Sequence, residues 1–151
     1  MFDSEEEGIK VILLGDSGVG KTNLINIANG GSFNENQAVS SASSFCIKKL
    51  NVNGKEYNIK LWDTVGQEKL RTLTKLFYSD SKIVIFVYDI TRKVTFEEIK
   101  NYWVKDIEEK LGKDIIKGVV ANKMDLFLKE EVSREKGEEY AKSINALFFL
   151  K

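Results

Sequence analysis

Residues 15–22 read GDSGVGKT. They match G-x-x-x-x-G-K-[ST], the pattern of a phosphate-binding loop, whose meaning depends on what flanks it. An apolar run (Ile9, Val11, Ile12, Leu13, Leu14) precedes the loop and reads as a buried strand, and a helical segment from Lys21 to about Asn29 follows. In that order the glycines let main-chain N–H groups turn around a phosphate, and the helix N-terminus adds the positive end of its dipole. The candidate contacts are Asp16, Ser17, Gly18, Val19 and Gly20, with Lys21, Thr22 and Asn23 at the helix start. Lys21 can reach the outer phosphates and take up charge during catalysis, and the Thr22 hydroxyl can hold a magnesium ion.

Working outward, residues 44–52 and 55–62 look like strands joined at Asn53–Gly54, a strong hairpin signal. Residues 82–88 (KIVIFVY) and 115–121 (IIKGVVA) are apolar runs suited to strands covered on both faces. Between them Phe96, Ile99, Trp103, Ile107 and Leu111 recur at steps of three and four, which predicts an amphipathic helix. Residues 133–145 predict another helix and Leu147–Leu150 a last strand, while 30–43 (GGSFNENQAVSSAS) is small, polar and loop-like. Alternation of this kind implies an α/β protein with a mostly parallel six-stranded sheet flanked by helices, and the phosphate-loop motif after its first strand makes the P-loop NTPase fold the expected one. Ligands of such sheets sit at the carboxyl ends of the strands, where residues 15–22 lie.

The 151 residues suffice for one core. Lys plus Arg and Asp plus Glu are 23 each, so no net field toward nucleic acid is expected. With no histidine the usual general base is missing, and the single cysteine, Cys46, excludes an internal disulfide and is expected to be a buried structural thiol. The first eight residues, MFDSEEEG, read as an acidic tail rather than a signal peptide. The longest apolar run, Ile83–Tyr88, is far short of a membrane span.

Asn122-Lys123-Met124-Asp125 follows the apolar run ending at Ala121. A carboxylate there can accept two hydrogen bonds from the N1–H and N2–H₂ edge of guanine, and adenine offers no such pair. The stem of Lys123 can lie over the base, and Asn122 can brace the loop. Asp63, in Trp62-Asp63-Thr64-Val65-Gly66-Gln67-Glu68, closes a strand where a carboxylate can hold magnesium through water. Gly66 can bring its N–H to a γ-phosphate. Gln67 can orient an attacking water, as glutamine does in Ras.

From about residue 9 to 150 the chain resembles a Ras-superfamily small GTPase, and most of all the Rab branch. The segments Phe86-Val87-Tyr88-Asp89-Ile90-Thr91, Lys69-Leu70-Arg71-Thr72-Leu73-Thr74 and Asn58-Ile59-Lys60-Leu61-Trp62 carry the Rab likeness. The resemblance puts Phe33 edge-on against guanine and Ser40 where a loop threonine normally binds magnesium. It also puts Phe45, Trp62 and Phe77 at the aromatic surface that Rab effectors contact. It implies a GTP/GDP switch with Mg2+ that regulates vesicle traffic, served by an exchange factor, a GTPase-activating protein and effectors. The expected location is cytoplasmic, peripheral to endomembranes through a lipid anchor not present in this stretch. The alternative is a nucleotide-bound scaffold that does not hydrolyse.

Three departures bear on that alternative. Ser40-Ser41-Ala42-Ser43-Ser44-Phe45 stands where Rabs usually carry Thr followed by Ile-Gly-Val-Asp-Phe; serine keeps the metal-binding oxygen but loses the methyl that restricts its rotamer. Val65 replaces the family's alanine, with bulk beside the expected metal and γ-phosphate. The resemblance places a Ser-Ala-Lys loop and a last helix after Lys151, so 9–151 is expected to be a C-terminally incomplete G domain. Its apolar sheet face would then be open to that helix or to dimerisation. No arginine lies in the phosphate loop or in 31–45, so slow unaided turnover is expected.

Overall fold

The computed structural model describes residues 8–31, 44–64 and 78–151. Among the described residues six stretches become strands: β1 (Ile9–Leu14), β2 (Ser44–Val52), β3 (Lys55–Asp63), β4 (Ile83–Asp89), β5 (Ile116–Asn122) and β6 (Leu147–Leu150). They form one sheet in the order β2-β3-β1-β4-β5-β6. Only β2 and β3 run antiparallel; every other neighbouring pair is parallel. The Asn53–Gly54 turn takes positive φ at both residues (52° and 82°), the two-residue geometry that suits the twist of a hairpin. Strand one thus lies between β3 and β4, which puts the end of β1 at the middle of the sheet's carboxyl edge.

Alternate residues of the central strands enter two separate cores. Ile12, Leu14, Val84, Phe86, Tyr88, Val119 and Ala121 face one side, with Phe96, Trp103, Ile107 and Ala141 packed on them. Val11, Leu13, Val87 and Val120 face the other, against Ile25 of helix α1 (Lys21–Ala28). The first side is covered by α2 (Lys93–Glu98), α3 (Val104–Leu111) and α4 (Arg134–Ser143). Helices therefore flank both faces, and the chain has the mostly parallel P-loop NTPase architecture.

The amphipathic segment expected from 96 to 111 contains a π-helical stretch, Ile99–Trp103, between α2 and α3. A π turn admits an extra residue. It keeps Ile99, Trp103 and Ile107, all fully buried, on the inward stripe. Cys46 is half-buried in β2 rather than fully enclosed, because β2 is an edge strand. On the α1 side of the sheet, Phe149 is half-exposed and lies beside Gly118, near Ile85. Among the described residues no helix is long and apolar enough to cross a membrane.

Candidate nucleotide site

The carboxyl ends of β1, β3, β4 and β5 bring the motifs together. Gly15 follows β1 so closely packed that an added Cβ would collide with the Val87 carbonyl oxygen. Gly20, at φ 103°, occupies the space beside the Asn122 side-chain amide, which a Cβ would also strike. As the residue before α1, Gly20 offers no side-chain cap, and the first turn holds no acidic residue. The positive end of the helix dipole there meets no acidic side chain from the first turn, an arrangement that favours an anion.

Lys21 is 6% exposed and donates to the carbonyl oxygens of Gly15 (2.9 Å) and Asp16 (3.0 Å). Burial pushes its ammonium down to about 8, against the opposing pull of the Asp63 and Asp16 carboxylates. A buried cation held mainly by main-chain oxygens is poised to gain from an anionic ligand. The Thr22 hydroxyl donates to Asp63 Oδ2 at 2.5 Å, so the two oxygen donors expected at a metal meet across 41 residues of sequence. Hard oxygen donors of this kind fit magnesium, which takes one or two protein groups and completes its shell with phosphate and water. Among the described residues no group of three or more His, Cys, Asp or Glu side chains could hold a metal ion.

Asn122 and Lys123 reach back to the same loop. Asn122 Nδ2 donates to the Val19 carbonyl at 2.8 Å, and Lys123 Nζ to that of Gly18 at 2.9 Å. Lys123 adopts φ 69°, a left-handed conformation that costs a non-glycine residue about 1 kcal/mol. The chain then enters the 3-10 helix Met124–Lys129, with Asp125 exposed in its first turn. Ser17, Val19 and Asn23 stand in the loop and in α1 as the motif requires. Phe33, Ser40, Val65, Gly66, Gln67 and Phe77 lie outside the described residues, as does Lys69–Thr74. Of the aromatic surface, Phe45 and Trp62 stack at 4.7 Å between centroids, with Phe45 54% exposed and Lys10 over the Trp62 ring at 4.8 Å.

Three side chains that the motifs do not include also touch this site. Asp89, 1% exposed at the end of β4, pairs with Lys123 Nζ at 2.8 Å and accepts from the Thr91 N–H and hydroxyl. Burial pushes its carboxyl up, but the hydrogen bonds from Lys123 and Thr91 and the Lys123 charge outweigh that and hold it below its ordinary value. Its signal in the sequence was position: a carboxylate ending an apolar run, as Asp63 does. Trp103 Nε1 donates to Asp16 Oδ1 at 3.2 Å, and Arg92 Nη1 to the Ser17 carbonyl at 3.1 Å. Neither contact has a local sequence signal, since 87 and 75 residues separate the partners.

Residues 10–151 match the family model described as "Ras family". The chain belongs to the Ras family. This Ras-family chain is similar to human "Ras-related protein Rab-21", 42% identical over 137 residues, covering 91% of this chain and 60% of that one. It is equally similar to "Ras-related protein RABC2b" of Arabidopsis thaliana, 42% identical over 140 residues, covering 92% and 68%. "Ras-related protein Rab-8A" of Gallus gallus is 40% identical over 139 residues, covering 92% and 67%. It is a Rab-like member by these likenesses, and it spans about three fifths of the length of the Rab-21 relatives.

Proposed function

We propose that this Rab-like chain is a guanine-nucleotide switch that hydrolyses GTP slowly and serves vesicle traffic. One observation supports this reading most: the phosphate loop, Asp63 and the Asn122–Lys123 pair are hydrogen-bonded to one another at one edge of the sheet. In this reading residues 9–151 are the G-domain stretch and 1–8 its acidic tail. Main-chain N–H groups of the loop and α1 hold the phosphates, and Asp125 accepts the guanine edge. Phe33 packs against the base. Thr22, Ser40 and Asp63 would hold Mg2+, which supplies charge neutralisation at the phosphate oxygens when bound. Gln67 orients a water whose oxygen bonds to the γ-phosphorus as the bond to the β–γ bridging oxygen breaks; GDP leaves, the water's proton passes to the released phosphate, and Lys21 and the Gly66 N–H stabilise charge on the phosphoryl oxygens. A partner's arginine would add about 10³–10⁵ in rate. Exchange factors, activating proteins and effectors are its partner classes, with Phe45, Trp62 and Phe77 as the effector surface. Attachment to endomembranes would come through a lipid anchor.

The test is nucleotide binding in the presence of Mg2+, followed by single-turnover hydrolysis with wild type and Gln67→Leu. The expected results are GDP and GTP binding with ATP excluded, and slow hydrolysis that the substitution lowers further. Preference for adenosine nucleotides would remove the guanine reading. A wild-type rate unchanged by Gln67→Leu would remove that residue's role. Binding without any turnover would favour a scaffold, as Val65 and the serine-rich 40–44 segment suggest.

A further inference from the structure

The carbonyl oxygens of the phosphate loop are held in an unbroken row. Lys21 takes those of Gly15 and Asp16, Arg92 that of Ser17, Lys123 that of Gly18 and Asn122 that of Val19. A trans peptide sets its C=O and N–H on opposite sides. Each side chain that holds the carbonyl of 17, 18 or 19 therefore turns the N–H of the next residue, Gly18, Val19 or Gly20, away from itself. Two of those three clamps come from the Asn122–Lys123 motif. The third, Arg92, belongs to no motif; it precedes α2, and its own N–H is fixed on the Asp89 carbonyl at 3.0 Å. Asp89 in turn holds Lys123, so two of the clamps share one anchor at the end of β4.

We infer that Arg92 is a positioning residue for the phosphates of a bound guanine nucleotide, acting through the Ser17–Gly18 peptide. This rests on the nucleotide reading above. A guanidinium bonded to a carbonyl polarises the peptide and strengthens its N–H as a donor. It also sets a permanent positive charge at the rim of the loop. Because Arg92 is exposed, water screens that charge and the effect is modest.

The test measures the affinity and dissociation rate of GDP and GTP, with Mg2+, for wild type, Arg92→Ala and Arg92→Lys. Guanosine serves as a competitor that lacks phosphate. Arg92→Ala is expected to weaken GDP and GTP by about three- to tenfold while guanosine is unaffected. Arg92→Lys, which keeps one donor and the charge, recovers part of the loss. Equal weakening of guanosine and GDP would overturn the inference, because a general disturbance of the fold acts on both. GDP release unchanged in Arg92→Ala would overturn it as well. A wild-type protein that binds no GDP would instead strike the nucleotide reading beneath it.

Discussion

The two halves of the sheet differ in what covers them. Strands β1 and β4, with the inner part of β5, are packed on both faces, and Ile12, Leu14, Val84 and Phe86 are fully buried. The β2–β3 hairpin leaves Phe45, Ile47 and Val52 about half exposed, although these three residue types favour strands as those of the central strands do. β-propensity made both halves; neighbours separated them. The half that carries the phosphate loop is tied to the start of α2 through Arg92 and to the π turn through Trp103, and Asp89 of β4 holds Lys123. The hairpin presents an aromatic stack and lysines outward. A binding site gains from groups that cannot move, whereas a recognition surface must stay reachable.

The largest effect that would sharpen this contrast is on stability. Trp103→Ala removes a fully buried indole and its bond to Asp16, and should cost about 3–5 kcal/mol in urea unfolding. A loss under about 1 kcal/mol would break the claim that this half is rigid through its core. Next is a proton effect at Lys21. Its folded-state value of about 8 lies below its ordinary 10.5, so between those values the unfolded chain binds more protons and Lys21 makes stability rise with pH. A phosphate placed beside the ammonium raises that value again. GDP binding at pH 8.5, just above that value, should therefore take up a fraction of a proton. Calorimetry in buffers of different ionisation enthalpy reads this directly, and zero uptake would separate Lys21 from the phosphates. Smallest is Phe45→Ala, which removes one exposed ring stacked on Trp62 and should cost no more than about 1 kcal/mol. A larger loss in unfolding experiments would mean that the hairpin is core after all.

Much of the fold was legible because its signals are local. The run from Ile9 to Leu14, the Asn53–Gly54 turn and the apolar stretches at 82–88 and 115–121 each announce an element within ten residues. The amphipathic segment after β4 was legible as a helix but not as one interrupted by a π turn. Steps of three and four do not reveal where a helix takes in an extra residue. The phosphate loop and Asn122–Lys123 could be picked out as motifs, yet nothing in the string says that Asn122 grips Val19 while Lys123 grips Gly18.

The sequence by itself determined the strands, the loop, the family and which residue types stand ready for phosphate, metal and base. It could do so because spacing along the chain fixes periodicity, turn geometry and motif chemistry. The tertiary structure alone decided that Arg92 and Trp103 join that machinery, and that Asp89, marked in the string only by its place at the end of an apolar run, holds Lys123. Their partners lie 34 to 87 residues away in the chain, and only the strand order β1-β4-β5 sets them side by side.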